Sequence, residues 1–423
     1  MKKISSYLAL ISILTVAPVA VKAQEQKNAD PQKDGLSVAL RLAVTQHPSV
    51  KSKLSDLRSL GYDIESAQAR RYPTFSLQGS TNNDVQSQVI ARLQQPLWVG
   101  GRIDGGIKLT EAKHNSSIAS LLQLRRQLIE QTAAVYASLQ GARQRLKTAD
   151  LNVAEHEKLN SLISRRQIGS IASEADVRLA GARLIQANAQ REQIKALVVK
   201  YQNDLHALTQ QPVGGAIPVD TQLLSALDKE TTLARLDKKA ATVLQKQVDI
   251  EVARANSELT TSDMMPSLYA RVDQDIVNAN KNGSIPLDTR FSAVLEGNLE
   301  AGGFVGWKRL KSADAKVAAA QLDVETARND VRRTAQSLLA DRAMYQRVQR
   351  SNEQLVKSLE DTQESFMRQY DAGRKTWVDV LNNQRELSDA RQELEQTKSS
   401  LLETGLRLSA MLGELDKEAG VQP

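Results

Sequence analysis

Tyr72-Pro73-Thr74-Phe75-Ser76-Leu77 and Met265-Pro266-Ser267-Leu268-Tyr269-Ala270 carry one pattern twice. In both, a proline closes an Ala/Arg-rich helical stretch, because the residue before a proline is pushed out of the helical region. Side chains then alternate with period two, the signature of a strand. Outward from each segment the order is the same. A Gly-Gly pair ends a strand pair (Gly100-Gly101, then Gly302-Gly303), a long proline-free run follows, a glycine marks a turn (Gly169, then Gly373), and an Asp-Val lies just beyond it (Asp176-Val177, then Asp379-Val380). A duplication of about 200 residues is too long for a solenoid repeat. It predicts one pseudo-symmetric object whose halves meet near Pro212.

The strand pairs separate apolar from polar residues. Phe75, Leu77 and Gly79 oppose Thr74, Ser76, Gln78 and Ser80, and Val89, Ala91 and Leu93 oppose Gln88, Arg92 and Gln94 on a partner strand expected from Val85 to about Gln95. In the second copy Leu268, Ala270 and Val272 alternate with Arg271 and Asp273. A fourth strand sets Leu287, Thr289, Phe291, Ala293, Leu295 and Leu299 against Asp288, Arg290, Ser292, Glu296 and Asn298. Strands of about ten residues with one apolar and one polar face suit a tilted outer-membrane barrel. Four strands cannot close one, and an open edge in lipid leaves backbone groups unpaired. A lipid-facing sheet therefore requires other copies of the chain, with three copies and twelve strands the natural small solution. The alternative is a soluble four-stranded sheet covered by helices.

The helical runs are long. Residues 103–167 and 305–370 contain no proline, and at about 1.5 Å per residue each is a rod of roughly 95 to 100 Å. Leu121, Leu128, Val135, Ala142 and Ala149 fall seven apart on the first, and Val317, Val324, Val331, Leu338, Tyr345, Leu359 and Phe366 on the second, broken only at Asn352. The returning helices carry Val177, Leu184, Val198 and Leu205, interrupted by Arg191, and then Val380, Leu387, Leu394, Leu401 and Leu408. Sustained sevenfold spacing imposes left-handed supercoiling, so these stripes read as packing core. Each hairpin is expected to turn at its glycine, Gly169 or Gly373, where a positive φ carries no steric cost.

Composition agrees. Aromatic residues make up 4% of the 423 residues and cysteine is absent, so disulfides and thiolate metal sites are excluded. Met1-Lys2-Lys3, an apolar run from Tyr7 to Val21 and Val21-Lys22-Ala23 form a signal-peptide pattern, too short and too early for a spanning helix; an uncleaved anchor is the alternative. Without Lys2, Lys3 and Lys22 the net charge of +7 falls to +4. The basic residues are spread over helix faces among acids, as on a solvated surface, and not clustered for nucleic acid. The organisation expected is a signal peptide (1–23), a disordered leader (24–35), a first repeat (36–211; strand pair 74–97, hairpin 103–211), a linker (212–236), a second repeat (237–413; strand pair 267–299, hairpin 305–413) and a C-terminal tail (414–423).

Several segments together resemble the TolC family of outer-membrane export channels: Leu40-Arg41-Leu42-Ala43 with His47-Pro48, the Tyr72-Pro73-Thr74 strand start, Gln95-Pro96-Leu97-Trp98-Val99-Gly100-Gly101-Arg102, and Gly373 through Asp379-Val380-Leu381. The second copy departs at Asn298-Leu299-Glu300-Ala301-Gly302-Gly303, which lacks the Pro-Leu-aromatic of the first. The resemblance implies a mainly α fold with a membrane β part: a homotrimer with a twelve-stranded barrel in the outer membrane of a Gram-negative bacterium and a coiled-coil α-barrel crossing the periplasm. It also implies hairpin tips, at Gly169 and Gly373, that dock with a periplasmic adaptor coupled to an inner-membrane transporter. Trp98 and Trp307, read as lying just past the strand ends, suit the membrane interface, where an indole keeps its N–H wet.

The family's periplasmic gate maps onto five residues. Its inner acid matches Asp379, while its second acid falls at Asn382, leaving one ring of carboxylates. The tyrosine and arginine that hold the family's entrance closed match Tyr370 and Lys375, the lysine replacing a planar donor with a point charge. Asp176 is the first copy's acid, one residue further from Gly169 than Asp379 lies from Gly373. A solvated helix end is the alternative for all of these charges.

No enzyme is expected and no cofactor. His47, His114, His156 and His206 are isolated, and the glycine pairs lack a phosphate-loop context. The competing reading is a soluble periplasmic coiled-coil adaptor. For cargo, Arg165-Arg166-Gln167-Ile168-Gly169-Ser170 leading to Ala180-Gly181-Ala182-Arg183-Leu184 looks somewhat closer to type I protein secretion than to multidrug efflux.

Overall fold

The computed structural model describes residues 35–81, 87–213, 229–280, 283–284, 288–298 and 300–421. The expected signal peptide, the leader up to residue 34, Val85, Leu287, Leu299 and most of the linker lie outside them. Helix α1 (Gly35–Gln46) buries the stripe Leu36, Ala39, Leu40, Ala43 and Val44. His47 caps α2 (Pro48–Ala69), its Nδ1 accepting from the Ser49 amide at 3.3 Å, and the helix runs through Gly61 unbroken.

Strand β1 (Thr74–Thr81) pairs with β2 (Ser87–Trp98), and β3 (Ser267–Asn280) follows the second proline; β4 is a two-residue rung (Gly283–Ser284) on the far end of β3. Strand β5 (Thr289–Glu296) completes an antiparallel sheet ordered β1-β2-β3-β5. Trp98 is the last residue of β2, not a residue beyond it, and β5 is shorter than the span expected for it. Register sets Phe75, Leu93, Val272 and Phe291 in one row across all four long strands. Ser76, Arg92, Asp273 and Arg290 form the next row, so the apolar and polar faces read from the sequence are continuous across the sheet. On the polar face Arg92 pairs with Asp273 (2.7 Å), Arg271 with Glu296 (2.7 Å) and Arg290 with Asp275 (3.2 Å). On the other, Phe75, Leu77, Phe291 and Leu295 stand exposed.

The rods are α3 (Arg102–Ile168) and α7 (Phe304–Asp371), each with a returning helix, α4 (Glu174–Thr209) and α8 (Trp377–Met411). Helix α5 (Lys229–Lys239) occupies the end of the stretch read as a linker, and α6 (Ala241–Ser262) precedes β3. The expected tail folds back as α9 (Asp416–Ala419), with Leu415, Ala419 and Val421 buried beside α1 and α3.

Neighbouring helices form a wall. Nearest the sheet the order is α2-α3-α6-α7; toward the tips it is α4-α3-α8-α7. The predicted heptads lie inside it: Leu121, Leu128, Ala142 and Ala149 of α3, Val324, Val331, Leu338 and Leu359 of α7, and Val380, Leu387, Leu394 and Leu408 of α8 are all buried. The main core gathers Leu40, Val44, Ile129, Tyr136, Leu406 and Leu415 at mid-length, where Arg126 of α3 meets Asp416 in a buried ion pair at 2.8 Å.

Candidate functional site: the paired hairpin tips

The two tips are built alike. After α3 the amides of Gly169, Ser170 and Ile171 donate to the carbonyls of Arg165, Gln167 and Arg166; after α7 those of Ala372, Gly373 and Arg374 donate to Arg368, Tyr370 and Gln369. Both are Schellman turns, in which the helix's last carbonyls are satisfied by a residue in the left-handed region. That residue is Ser170 (φ 57°) in the first hairpin and Gly373 (φ 70°) in the second. Gly169 has φ −76° and is not the left-handed residue. It matches Ala372, the cap of α7.

This shift removes the one-residue discrepancy between the acids. Asp176 lies as far from Ser170 as Asp379 does from Gly373, and both occupy the same position in a capping box. The Ser173 amide and hydroxyl donate to Asp176 Oδ2 (3.3 and 2.7 Å), and the Asp176 amide donates to Ser173 Oγ (3.1 Å). In the second hairpin the Thr376 amide and hydroxyl donate to Asp379 Oδ2 (3.1 and 2.8 Å), and the Asp379 amide to Thr376 Oγ1 (3.3 Å). The Thr376 hydroxyl and amide, and then Lys375, hold the Asp379 carboxyl below the ordinary carboxylate range. A carboxylate here also faces the positive end of its helix. Asn382 is exposed one turn on and adds no charge.

Tyr370 does not meet Lys375. Lys375 Nζ lies 4.3 Å from the centre of the Phe366 ring and 4.0 Å from Asp379 Oδ2. The partner of Tyr370 is Arg166 of the other hairpin, whose guanidinium carbon is 4.8 Å from the ring centre and whose Nη2 pairs with Asp371 at 2.5 Å. Beneath Tyr370, at 5.1 Å, is the Trp377 ring, 2% exposed. Sequence reading missed Arg166 and Trp377; the Arg165-Arg166 pair before the turn was the available signal. Leu159 and Ile163 of α3, Ala180 of α4 and Trp377, Val380 and Leu381 of α8 form a small apolar core, and Phe366, Met367 and Tyr370 of α7 pack against it, so all four tip helices are tied together.

A polar layer follows. Arg391 of α8 bridges Glu155 of α3 (3.0 Å) and Glu360 of α7 (2.7 Å), and Asn383 donates to Gln363 (2.7 Å). Buried His156 beside it has its pKa lowered by burial, partly offset by Glu155. At the extremity the tips differ: Ile168 and Ile171 are exposed on the first and Arg374 on the second. Trp98 and Trp307 are half-exposed near the sheet, far along the chain from the tips, with Trp307 5.9 Å from Phe304. Among the described residues no group of three or more His, Asp or Glu can hold a metal ion, and no helix is long and apolar enough to cross a membrane.

The model of the family described as outer membrane efflux protein matches residues 39–210 and 233–414. No curated protein matches the chain. Among solved structures it is similar to a membrane protein from Pseudomonas aeruginosa (17% identity, TM-score 0.76, covering 89% of this chain and 90% of that one). It is also similar to the outer membrane protein VceC from Vibrio cholerae (16%, 0.72, 89% and 96%) and to the open state of the MtrE outer membrane channel of Neisseria gonorrhoeae (15%, 0.73, 89% and 88%). At these identities the likeness is one of fold.

Proposed function

Because the chain belongs to the outer membrane efflux protein family, whose members are channels and not enzymes, we propose that it is one third of a passive duct through the outer membrane and periplasm. The observation that carries this reading is the sheet, apolar on one face and bounded by two edge strands, β1 and β5, whose outer edges have no partner among the described residues. These edges run antiparallel to each other, so β5 of one copy can pair with β1 of the next, and three copies close a barrel of twelve strands. The helical wall ends on the same two sides, at α2 and α4 on one and α7 on the other. Exposed apolar side chains on both sides, Ile185 and Val199 against Leu322, Met344 and Leu355, suit burial between copies. The apolar run of residues 7–21 supports export, and Trp98 and Trp307 take the membrane-interface role.

In this reading the tips form the periplasmic gate. Asp379 supplies a ring of three carboxylates, Asn382 leaves it single, and Asp176 lies at the equivalent place in the other hairpin. The turns at Ser170 and Gly373 face a periplasmic adaptor coupled to an inner-membrane transporter. Cargo of the type I protein secretion class is favoured over small molecules by the residues around the first turn, with multidrug efflux the alternative. The test is fractionation followed by planar-bilayer recording. The protein is expected to need detergent for extraction and to conduct, with cation block weakened in Asp379→Ala; recovery in the soluble periplasmic fraction sinks the duct reading.

A further inference from the structure

The internal repeat places four lysines alike. Helices α2 and α6, both 22 residues long, correspond residue by residue from Pro48 and Ala241 onward, and the rods α3 and α7 correspond through their equivalent tip residues Ser170 and Gly373. The first correspondence sets Lys53 on Lys246 and Asp56 on Asp249; the second sets Lys113 on Lys316. All four lie at one height below the sheet. Lys113 is about 16 Å from the start of α3 and Lys316 about 18 Å from the start of α7, while Lys53 and Lys246 are each about 24 Å from the sheet end of α2 and α6.

They also share a face of the wall. Lys53, Asp56, Lys113, Ser117 and Ser120 line a groove across α2 and α3, and Lys113, Ser116, Asp249 and Lys316 line an adjoining groove across α3, α6 and α7. The opposite face is covered: Ile129, two and a half turns beyond Ser120, packs in the core that α3 shares with α1 and α9. In the proposed duct the covered face is the outside, because an added layer within the bore would fill it. The grooves then open inward.

Charge at this height is unevenly satisfied. Asp249 accepts from Ser116 Oγ at 2.6 Å and lies 3.9 Å from Lys246 Nζ, which is also 3.8 Å from Asp323. Among the described residues Lys53, Lys113 and Lys316 form no ion pair, with Asp56 the acid that shares the first groove with two of them. The Ser117 hydroxyl, on a residue 7% exposed, lines that groove without a hydrogen-bond partner. A buried hydroxyl left so costs free energy that an acceptor oxygen recovers. Above the grooves, on the polar face of the sheet, Arg92, Arg271 and Arg290 are all paired with acids.

We propose that Lys113 and Lys316, together with Lys53, form a basic belt on the inner wall that binds the multivalent anionic groups of passing cargo, with Ser117 donating to their oxygens. The proposal rests on the duct reading and adds a second selective station to it, opposite in sign to the Asp379 ring at the tips. In three copies Lys113 and Lys316 make a ring of six pseudo-equivalent charges. Each lysine acts as a point charge on a flexible stem, so the belt reads charge more than shape. Held at an open wall, each contact is weak and quickly reversed, which suits passage.

The test is block of the full-length protein in planar bilayers by inorganic tripolyphosphate, added on the barrel side because the Asp379 carboxylates repel an anion at the other. In about 0.1 M salt, where charges act over about 10 Å, the parent is expected to be blocked. Lys53→Gln, Lys113→Gln and Lys316→Gln together are expected to weaken the block about tenfold, and arginine at the same three positions to retain it. Asp56→Asn gives a test of opposite sign that does not depend on the triple variant assembling, and is expected to strengthen the block about twofold. Conductance without block in the parent, equal block in the parent and the glutamine variant, or a block no stronger in Asp56→Asn each overturn the belt and leave the duct standing. Absence of conductance in the parent overturns both.

Discussion

Ser170 and Gly373 are the same residue of two equivalent turns, one a serine held at φ 57° and the other a glycine at φ 70°. A left-handed residue with a Cβ costs about 1 kcal/mol relative to glycine. Ser170→Gly is therefore expected to stabilise the first tip by about that amount and Gly373→Ala to destabilise the second similarly. Hydrogen exchange at the Ile171 and Arg374 amides, which close the two turns, reads the difference as a change of about fivefold in protection. No change at Ile171 would show the strain to be absent.

The Asp379 carboxyl gives a pH prediction. Its folded pKa is depressed, first by the Thr376 hydroxyl and then by the Thr376 amide and Lys375. The stabilisation is complete above the ordinary carboxylate range, about pH 4, and is lost as the pH falls through the lower folded value. Thr376→Ala removes the largest contribution, so the acid limb of cation block is expected to move to higher pH in planar-bilayer recordings. An unmoved limb separates Asp379 from the block.

Arg166 joins the hairpins through the Tyr370 ring and the Asp371 carboxylate. Arg166→Ala is expected to raise the conductance of the resting channel, and Arg166→Lys to restore little of the closure, because a lysine keeps the charge and loses the flat, forked donor. Lys375→Ala is expected to have the smaller effect, since the Phe366 ring and the Asp379 carboxylate that Lys375 meets both belong to its own hairpin. The reverse order of effects would return the latch to Lys375.

The Arg126–Asp416 pair, 11% and 7% exposed at its side chains, fastens α9 to α3. Removing one member of a buried pair strands the other charge. Arg126→Ala is expected to cost about 3 kcal/mol, seen as a lower thermal midpoint in detergent; a midpoint within one degree of the parent would mean that water reaches Asp416.

Where the chain's periodicity is long, the sequence was legible. The sevenfold series of α3, α7 and α8 is buried at most positions, with Val135, Val317, Tyr345, Phe366 and Leu401 half-buried, and Asn352, its one break, finds Thr397 Oγ1 at 3.3 Å. The alternation of Phe75, Leu93, Val272 and Phe291 became one row of the sheet because a one-residue slip would turn every side chain over. Contacts set by tertiary geometry were not legible. Gly169 drew the eye as a turn residue, yet the left-handed position fell on Ser170, because the turn is placed by where the helix exhausts its carbonyl partners. Arg166 and Asp371 lie 205 residues apart, and α9 is too short to carry a period, so neither could be read from local pattern.

The sheet carries a bare rim on both sides, at β1 and β5. In the proposed duct that makes insertion a collective event, its rate expected to climb faster than linearly with the amount of chain.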